Sequence, residues 1–308
     1  MRPRPVTLCL GVVLAVLAIG AASAWMMSAP RSHLTRADID FLDQPGDFKK
    51  GALVFAAADC ASCHASPGQP DRMHLGGGFA LPSPFGTFHV PNISPDPTDG
   101  IGNWRAQDLA NALLSGVSPR GEHYYPALPY TSYAHMTLED VRDLMAYLRT
   151  LPAVTGRPIA HELEFPFNVR RILGLWKMLY FHPSRPALTM TGGDALSRGR
   201  YLTEALGHCA ECHSARNFLG AISRDTRFAG GADPEGLGFA PNITPAAIGD
   251  WSTDEIVEAL THRRTPAFMV IGSSMADVVA NVAELPREDR ESIALYLKSL
   301  PPRPTSSP

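Results

Sequence analysis

The chain has 308 residues, of which 45% are hydrophobic, and a formal net charge of −3 at pH 7. This length exceeds what one ordinary hydrophobic core serves, so we expect two compact domains with connecting segments. The slight negative charge excludes a protein that binds nucleic acid through a basic surface. With 26 glycines and 28 prolines, the composition indicates a loop-rich fold.

The N-terminus has the pattern of an export signal. Arg2 and Arg4 precede a charge-free apolar run over residues 6–22, and Ala22-Ser23-Ala24 matches a small-residue cleavage site. We therefore predict that residues 1–24 are a signal peptide cleaved after Ala24. An uncleaved membrane anchor is the alternative, because the apolar run is close to the shortest helix that spans a bilayer.

Four of the five cysteines fall in two C-x-x-C-H motifs, Cys60-Ala61-Ser62-Cys63-His64 and Cys209-Ala210-Glu211-Cys212-His213. Two thiols at this spacing can bond the two vinyl groups of one haem, and the adjacent histidine reaches the iron. A zinc site does not require a histidine directly after each cysteine pair, and a thioredoxin-like motif needs a βαβ setting that neither flank provides. We predict two covalent haem c groups, with cysteine attachment at Cys60, Cys63, Cys209 and Cys212 and proximal iron ligands His64 and His213.

The two motifs belong to a longer internal repeat with an offset near 149 residues. After each motif comes a Pro-Asn-Ile-Ser/Thr segment, at 91–94 and at 241–244, and then a tryptophan, Trp104 or Trp251. Each half closes with an acidic turn, apolar residues at helical spacing and a proline, over 139–152 and 288–301. Each half is therefore predicted to end in a helix.

The repeat predicts an all-α fold with two tandem, class-I-like cytochrome c domains. We place the domains at 45–152 and 195–301, with a loop-rich linker at 153–194 and a disordered tail at 302–308. Within the linker, residues 173–181 are strongly apolar. Packing of this short helix against the domains is one interpretation, and contact with a membrane surface or partner subunit is the other.

The sixth iron ligand of the second haem is predicted to be Met275, which lies 62 residues after His213 and before the closing helix. A thioether at this position raises the reduction potential. Met269 is the rival, and either methionine could instead fill the core.

The first half lacks a methionine at the matching place. The offset between the two tryptophans leads from Met275 to Leu128, and leucine cannot ligate iron. The first haem therefore takes another ligand or leaves its sixth position open. If it takes another ligand, we predict Met136, with His123 and His135 as the other nearby candidates.

Several segments together resemble the cytochrome c subunit of bacterial membrane-associated alcohol and gluconate dehydrogenases. The resemblance runs from about Gly51 to Pro301. Besides the two motifs and the Pro-Asn-Ile segments, it rests on Gly100-Ile101-Gly102-Asn103-Trp104, Tyr125-Pro126-Ala127-Leu128-Pro129-Tyr130, Phe165-Pro166-Phe167-Asn168-Val169-Arg170, Trp176-Lys177 and Arg198-Gly199-Arg200-Tyr201-Leu202. Two features depart from the family pattern: familiar members carry three haem domains, and they have methionine where this chain has Leu128.

The resemblance implies an electron relay at the periplasmic face of the bacterial inner membrane. Such a subunit takes electrons from a catalytic dehydrogenase of flavin, quinoprotein or molybdenum type and passes them to quinone, another cytochrome or an oxidase. We predict no catalytic residue, because electron transfer requires no acid, base or nucleophile. The alternative is a haem enzyme of peroxidase or thiosulfate-oxidising type, which would use an open or weakly ligated first haem.

Overall fold

The computed structural model of the protein describes residues 5–156, 159–183, 187, 189–190, 193–233 and 238–306. In this part of the chain the framework is helical. The helices are α1 (Pro5–Met27), α2 (Arg36–Leu42), α3 (Phe48–Ala57), α4 (Cys60–His64), α5 (Ala106–Ser115), α6 (Tyr130–Tyr133), α7 (Leu138–Leu148), α8 (Leu173–Tyr180), α9 (Ala195–Tyr201), α10 (Pro245–Ile248), α11 (Thr253–His262), α12 (Met275–Val282) and α13 (Arg287–Ser299). Short 3₁₀ turns form at Arg170–Ile172 and Cys209–Glu211, and a π-helical turn, Leu202–Leu206, extends α9.

Short β-strands accompany these helices, so the fold is mainly helical rather than all-α. The strands are β1 (Ala80–Ser83), β2 (Gly86–His89), β3 (Glu162–Leu163), β4 (Gly231–Ala232) and β5 (Phe239–Ala240). The first three form an antiparallel sheet in the order β1-β2-β3, and β4 pairs with β5. Gly86, at φ +117°, makes the hairpin between β1 and β2 possible, because its conformation is one that other residues rarely adopt.

The same helix pairing occurs in both halves of the chain. Helix α3 crosses α7, and α9 crosses α13, each at a glycine. A Cβ atom added at Gly51 would lie 2.0 Å from the carbonyl oxygen of Asp143, and one added at Gly199 would lie 1.8 Å from that of Ser292. Only glycine permits these approaches, which explains why Gly51 and Gly199 stand at equivalent places in the repeat.

The predicted closing helices are confirmed as α7 and α13. Thr137 caps α7 by accepting a hydrogen bond from the Asp140 amide at 3.1 Å, and acidic residues occupy the first turn of both helices. Both helices contribute to a hydrophobic core that is continuous across the two halves. Its buried members include Val54, Phe55, Leu109, Met136, Leu144, Leu202, Leu206, Ile256, Ile293 and Leu297.

Helix α8 docks on the end of α5 through a buried lysine. The Lys177 ammonium donates hydrogen bonds to the carbonyls of Ser115 at 2.8 Å and Gly116 at 2.7 Å, and it lies 4.5 Å from the centroid of the Tyr130 ring. The opposite side of α8 is apolar and exposed at Leu179 and its neighbours. The segment 173–181 thus packs against the first half and also presents an apolar surface.

The end of α1 lies beside α8. The Arg171 guanidinium donates to the carbonyl of Trp25 at 2.6 Å and stacks over its indole, and His123 donates from Nε2 to the carbonyl of Ser28 at 2.8 Å. In the ranges that the structure describes, no helix has the length and apolar character needed to cross a membrane.

Candidate haem sites

The first motif forms the short helix α4. Cys60, Cys63 and His64 stand at positions i, i+3 and i+4, which share one face of a helix. The preceding residue, Asp59, has a left-handed backbone with φ 52°. The second motif starts in the same way, because His208 directly before it has φ 37°. In both halves the chain therefore turns sharply and begins a new helical turn at the first cysteine.

Each motif histidine is oriented by a backbone carbonyl. Nδ1 of His64 lies 2.9 Å from the carbonyl oxygen of Pro91, and Nδ1 of His213 lies 2.6 Å from that of Pro241. A carbonyl oxygen only accepts, so Nδ1 carries the proton in each ring. The lone pair is then on Nε2, and carbonyl-bound histidines of this kind are typical metal ligands.

The charge state of these histidines also suits iron binding. Burial lowers the pKa of His64 and of His213 below the ordinary value of 6.5, and the hydrogen bonds to Pro91 and Pro241 oppose that effect in part. Both rings are therefore neutral at pH 7. Neutral imidazole is the form that coordinates a metal.

The two Pro-Asn-Ile segments hold the orienting carbonyls in place through the same contacts. The Asn92 side chain donates to the carbonyl of Val154 at 2.7 Å, and the Asn242 side chain donates to that of Arg303 at 2.8 Å. Each asparagine oxygen also accepts from the amide two residues later, at 2.8 Å in both cases. The segment after each closing helix is thus fastened to the loop that orients the histidine.

This contact differs from the expectation of a disordered tail at 302–308. Within its described part, 302–306, Arg303 accepts from Asn242 and the Ser306 amide donates to the carbonyl of Ala229 at 2.9 Å. The physical reason is the buried Asn242 amide, which needs an acceptor just as Asn92 needs Val154. Composition alone does not reveal such a requirement.

The loop between each motif and its Pro-Asn-Ile segment repeats as well. The Gly77 amide donates to the His64 carbonyl and the Gly230 amide to the His213 carbonyl, both at 2.9 Å. Both glycines have positive φ values, +68° and +90°. A backbone turn that requires glycine therefore follows each candidate proximal histidine.

Met275, the predicted sixth ligand of the second haem, is the first residue of α12 and is half-buried. Its segment approaches the second motif through Ser273, which donates to Asp233 at 3.4 Å, and Asp233 acts electrostatically on the Cys212 thiol. The rival Met269 is 64% exposed in the preceding loop. Of the two methionines, Met275 has the more protected position.

The register that aligns Met275 with Leu128 is supported by the backbone. Helices α5 and α11 both end at a residue with a left-handed backbone, φ 58°: Gly116 and Arg263. Gly116 lies 12 residues before Leu128, and Arg263 lies 12 residues before Met275. Leu128 packs against the core as a half-buried side chain. The matching place in the first half therefore holds a hydrocarbon side chain.

The other candidates in the first half occupy different surroundings. Met136 is fully buried in the core, whereas His135 is exposed. His123 is buried, and its Nε2 atom is engaged by Ser28, which ties this ring to the N-terminal segment. Met136 as the distal ligand of the first haem therefore stays a prediction.

The sequence did not reveal that Tyr133 bridges the segments just before the two motifs. Tyr133 donates to the carbonyl of Ala58 at 3.0 Å, and its ring meets that of His208 at 5.4 Å between centroids. Tyr133 lies 75 residues after Ala58 and 75 residues before His208. No local pattern or repeat spacing contains that information.

Taken residue by residue, the sites fit the group that the motifs predict. Each offers two cysteines on one face of a helical turn and a neutral histidine whose Nε2 atom is available. Burial raises the pKa of the Cys209 and Cys212 thiols to about 12, so both thiols are uncharged at pH 7. This fold and ligand set define a cytochrome of the c type.

Comparisons with known proteins agree with this class. The family model described as cytochrome c matches residues 48–152. Over 291 residues the chain is 48% identical to a protein of Cereibacter sphaeroides named diheme cytochrome c-type, covering 93% of this chain and 95% of that protein. The chain belongs to the dihaem c-type cytochrome family.

Two longer relatives are subunits of dehydrogenases. The fructose dehydrogenase cytochrome subunit of Gluconobacter japonicus is 38% identical over 262 residues, which are 83% of this chain and 53% of that protein. The cytochrome c subunit of the quinone alcohol dehydrogenase of Gluconobacter oxydans is 35% identical over 269 residues, 83% of this chain and 55% of that protein. The chain thus spans about half the length of these two relatives.

Proposed function

We propose that the chain carries two covalently bound haem c groups and transfers single electrons from a dehydrogenase to the respiratory chain. The haem groups would sit in two tandem cytochrome c domains, 45–152 and 195–301, joined by the linker 153–194. The observation that supports this proposal is the recurrence, in both halves, of a carbonyl-oriented neutral histidine directly after a pair of cysteines. Family membership supports the same conclusion.

The chain's own residues would bind and tune the haem groups. Cys60, Cys63, Cys209 and Cys212 form the thioether bonds, and the carbonyl-bound His64 and His213 supply the proximal ligands. Met275 is the proposed distal ligand in the second half, with Met136 as the candidate in the first. When bound, haem iron supplies a one-electron change of valence, while burial and axial ligands set its potential.

Attachment is tested by expression in a host that matures c-type cytochromes. We expect the purified chain to exceed its polypeptide mass by two haem groups and to stain for haem after denaturing electrophoresis. Cys60→Ala/Cys63→Ala and Cys209→Ala/Cys212→Ala should each retain one group. A purified wild-type chain with the bare polypeptide mass would refute the proposal.

The proposed donor is a catalytic dehydrogenase subunit of flavin, quinoprotein or molybdenum type, and the acceptor is quinone, another cytochrome or an oxidase. The names of the Gluconobacter relatives support a dehydrogenase partner. The test mixes the oxidised chain with a candidate dehydrogenase and its substrate. Reduction of the haem groups, seen in their absorption bands, only when the dehydrogenase and its substrate are both present supports the pairing. Reduction by the substrate without the dehydrogenase contradicts it.

We further propose that the protein works in the periplasm, at the face of the inner membrane, after export directed by residues 1–24. The exposed apolar side chains of Trp25, Leu175, Met178 and Leu179, together with the nearby Arg171, would suit a bilayer interface. Flotation with anionic vesicles tests this contact, and Leu175→Ser/Leu179→Ser should weaken it. The mass of the mature N-terminus distinguishes a cleaved signal from a retained anchor.

Leu128 favours a second candidate function, that of a haem enzyme. Without a strong sixth ligand, the first haem could bind a small molecule such as peroxide. Spectra that are fully low-spin in both oxidation states would support the relay. A high-spin fraction that responds to cyanide or peroxide would support the enzyme.

A further inference from the structure

A tyrosine bridges the segments that directly precede the two attachment motifs, across the boundary between the halves. Tyr133, at the end of α6, lies between them, since it donates to the carbonyl of Ala58 and packs edge-on against the ring of His208. Ala58 lies two residues before the first motif, and His208 lies directly before the second. One buried side chain therefore joins the starting points of both motifs.

Helix α12 of the second half binds the first motif. The Asn281 amide donates to the Asp59 carboxylate and, at 3.2 Å, to the Ser62 hydroxyl. Arg72 donates to the same hydroxyl at 3.2 Å and forms an ion pair with Asp277 of α12 at 3.0 Å. Ser62, one of the two residues between Cys60 and Cys63, is thus held by the opposite half of the protein.

Helix α6 of the first half binds the second motif in return. Oε1 of Glu211 accepts from the Thr131 hydroxyl at 2.8 Å and from the Ser132 hydroxyl at 3.1 Å, while its Oε2 accepts from Arg216 at 2.6 Å. Glu211 is only 8% exposed. A carboxylate is expensive to bury without such partners, so this contact constrains the geometry more than a surface ion pair would.

These two contacts are equivalent under the repeat. Helices α6 and α12 end at residues 149 apart, as the two closing helices begin, so Ser132 corresponds to Asn281 and, with the same offset, Ser62 corresponds to Glu211. In each half, a side chain just before the closing helix holds a residue inside the other half's cysteine pair. Two reciprocal contacts of this kind fix both the separation and the rotation of one motif relative to the other.

We propose that Asp59, Ser62, Thr131, Ser132, Glu211 and Asn281, here called the motif clasp, are positioning residues that set the geometry for electron exchange between the two haem groups. This inference rests on the proposed function. One haem group is oxidised by the loss of one electron and the other is reduced by accepting it, with no proton or further reactant. Because each porphyrin would be bonded to the cysteines that flank a clasp residue, a shift of either motif would move the porphyrin with it.

The test is a triple variant, Thr131→Val/Ser132→Ala/Asn281→Ala, which removes the side-chain donors that reach each motif from the opposite half and keeps all cysteines and histidines. We expect exchange between the haem groups, followed by flash photolysis of half-reduced protein, to slow severalfold, because electron tunnelling weakens exponentially as two haem groups move apart or turn away from each other. The paired Soret signal that two coupled haem groups give in circular dichroism should weaken in parallel.

Matched variants separate positioning from folding. Thr131→Ser/Ser132→Thr keeps both hydroxyls and should keep the wild-type exchange rate. Asn103→Ala removes an asparagine whose amide donates to the carbonyl of Pro97, within the first half, and serves as the control for Asn281→Ala. If the triple variant does not fold, Asn281→Ala alone must show slower exchange.

The inference is overturned if the clasp variants retain the exchange rate and the Soret signal of the wild type. A lower melting temperature with unchanged exchange would also overturn it, because the clasp would then be purely structural. Failure of the proposed function is distinguishable beforehand, since the mass of the wild-type chain would lack one or both haem groups. In that case the Soret coupling would be absent from the wild type itself.

Discussion

Replacing Lys177 with methionine should remove a specific increase in stability between pH 7 and pH 9. Lys177 is 8% exposed where α8 meets the end of α5, and burial lowers the pKa of its ammonium to about 7 from the usual 10.5. The carbonyls of Ser115 and Gly116 and the ring of Tyr130 oppose this lowering, because they favour the charged form. Methionine has similar length and no titratable group.

The sign follows from proton binding in the two states. Between pH 7 and pH 10.5 the unfolded chain keeps the Lys177 proton that the folded chain releases, so the free energy of unfolding rises with pH. Below pH 7 the lysine is charged in both states and contributes no slope. With pKa values of about 7 and 10.5, the gain from pH 7 to pH 9 is about 2 kcal/mol.

The assay is urea unfolding of the haem-loaded protein at pH 7 and pH 9, followed by far-ultraviolet circular dichroism. The wild type should gain about 2 kcal/mol more than Lys177→Met over this range. Lys298→Met is the matched control, since Lys298 donates to the carbonyls of Gly249 and Trp251 near the surface. Equal pH dependence in the wild type and Lys177→Met would show that the buried ammonium does not titrate here.

Met275→Ala should lower the potential of one haem group, within the range of about 0.8 V that axial ligands span. Met269→Ala, the control, should leave both potentials unchanged. A redox titration unaffected by Met275→Ala would eliminate Met275 as the ligand. Gly199→Ala should destabilise the protein by about 1–3 kcal/mol, because its methyl group would lie 1.8 Å from a backbone oxygen of α13. Gly272→Ala, whose methyl group meets nothing within 4 Å, is the control, and equal urea midpoints would contradict the reasoning. Burial lowers the pKa of His161 to about 4, so between pH 6.5 and pH 4 the unfolded chain binds a proton that the folded chain does not, and the free energy of unfolding falls. His161→Phe should reduce this fall, and an unchanged dependence of the free energy of unfolding on pH would argue against the prediction.

The helical framework was predictable because its signals are local. Acidic first turns and apolar residues at helical spacing predicted α7 and α13, and the repeat predicted that one half would resemble the other. The β-strands were missed because they are short and depend on particular loop conformations, such as that of Gly86. The attached segment at 302–306 was missed because its partner, Asn242, lies about 60 residues earlier.

The candidate haem sites, like the fold, could be predicted only in part from the sequence. The motif spacing predicts the attachment cysteines and selects His64 and His213 as proximal ligands, because both choices follow from chemistry along one helical turn. The carbonyls that orient the histidines lie 27 and 28 residues further on, so only the folded chain reveals them. The motif clasp depends on packing between halves, which no spacing encodes.

The two halves share the contacts of their motif histidines and differ at the aligned position where Leu128 takes the place of Met275, the proposed distal ligand. Under the proposed function, two haem groups with matching histidine contacts owe any large difference in potential to the sixth ligand and the nearby charge. The ion pair between Glu211 and Arg216 leaves little net charge beside the second motif. If Leu128 leaves the first iron without a sixth ligand, a thioether from Met275 would raise the second potential above the first, and electrons would enter at the first half and leave from the second. If Met136 ligates the first iron, both irons have a thioether and the two potentials would be similar. In either case the motif clasp lies on the boundary that the electrons must cross.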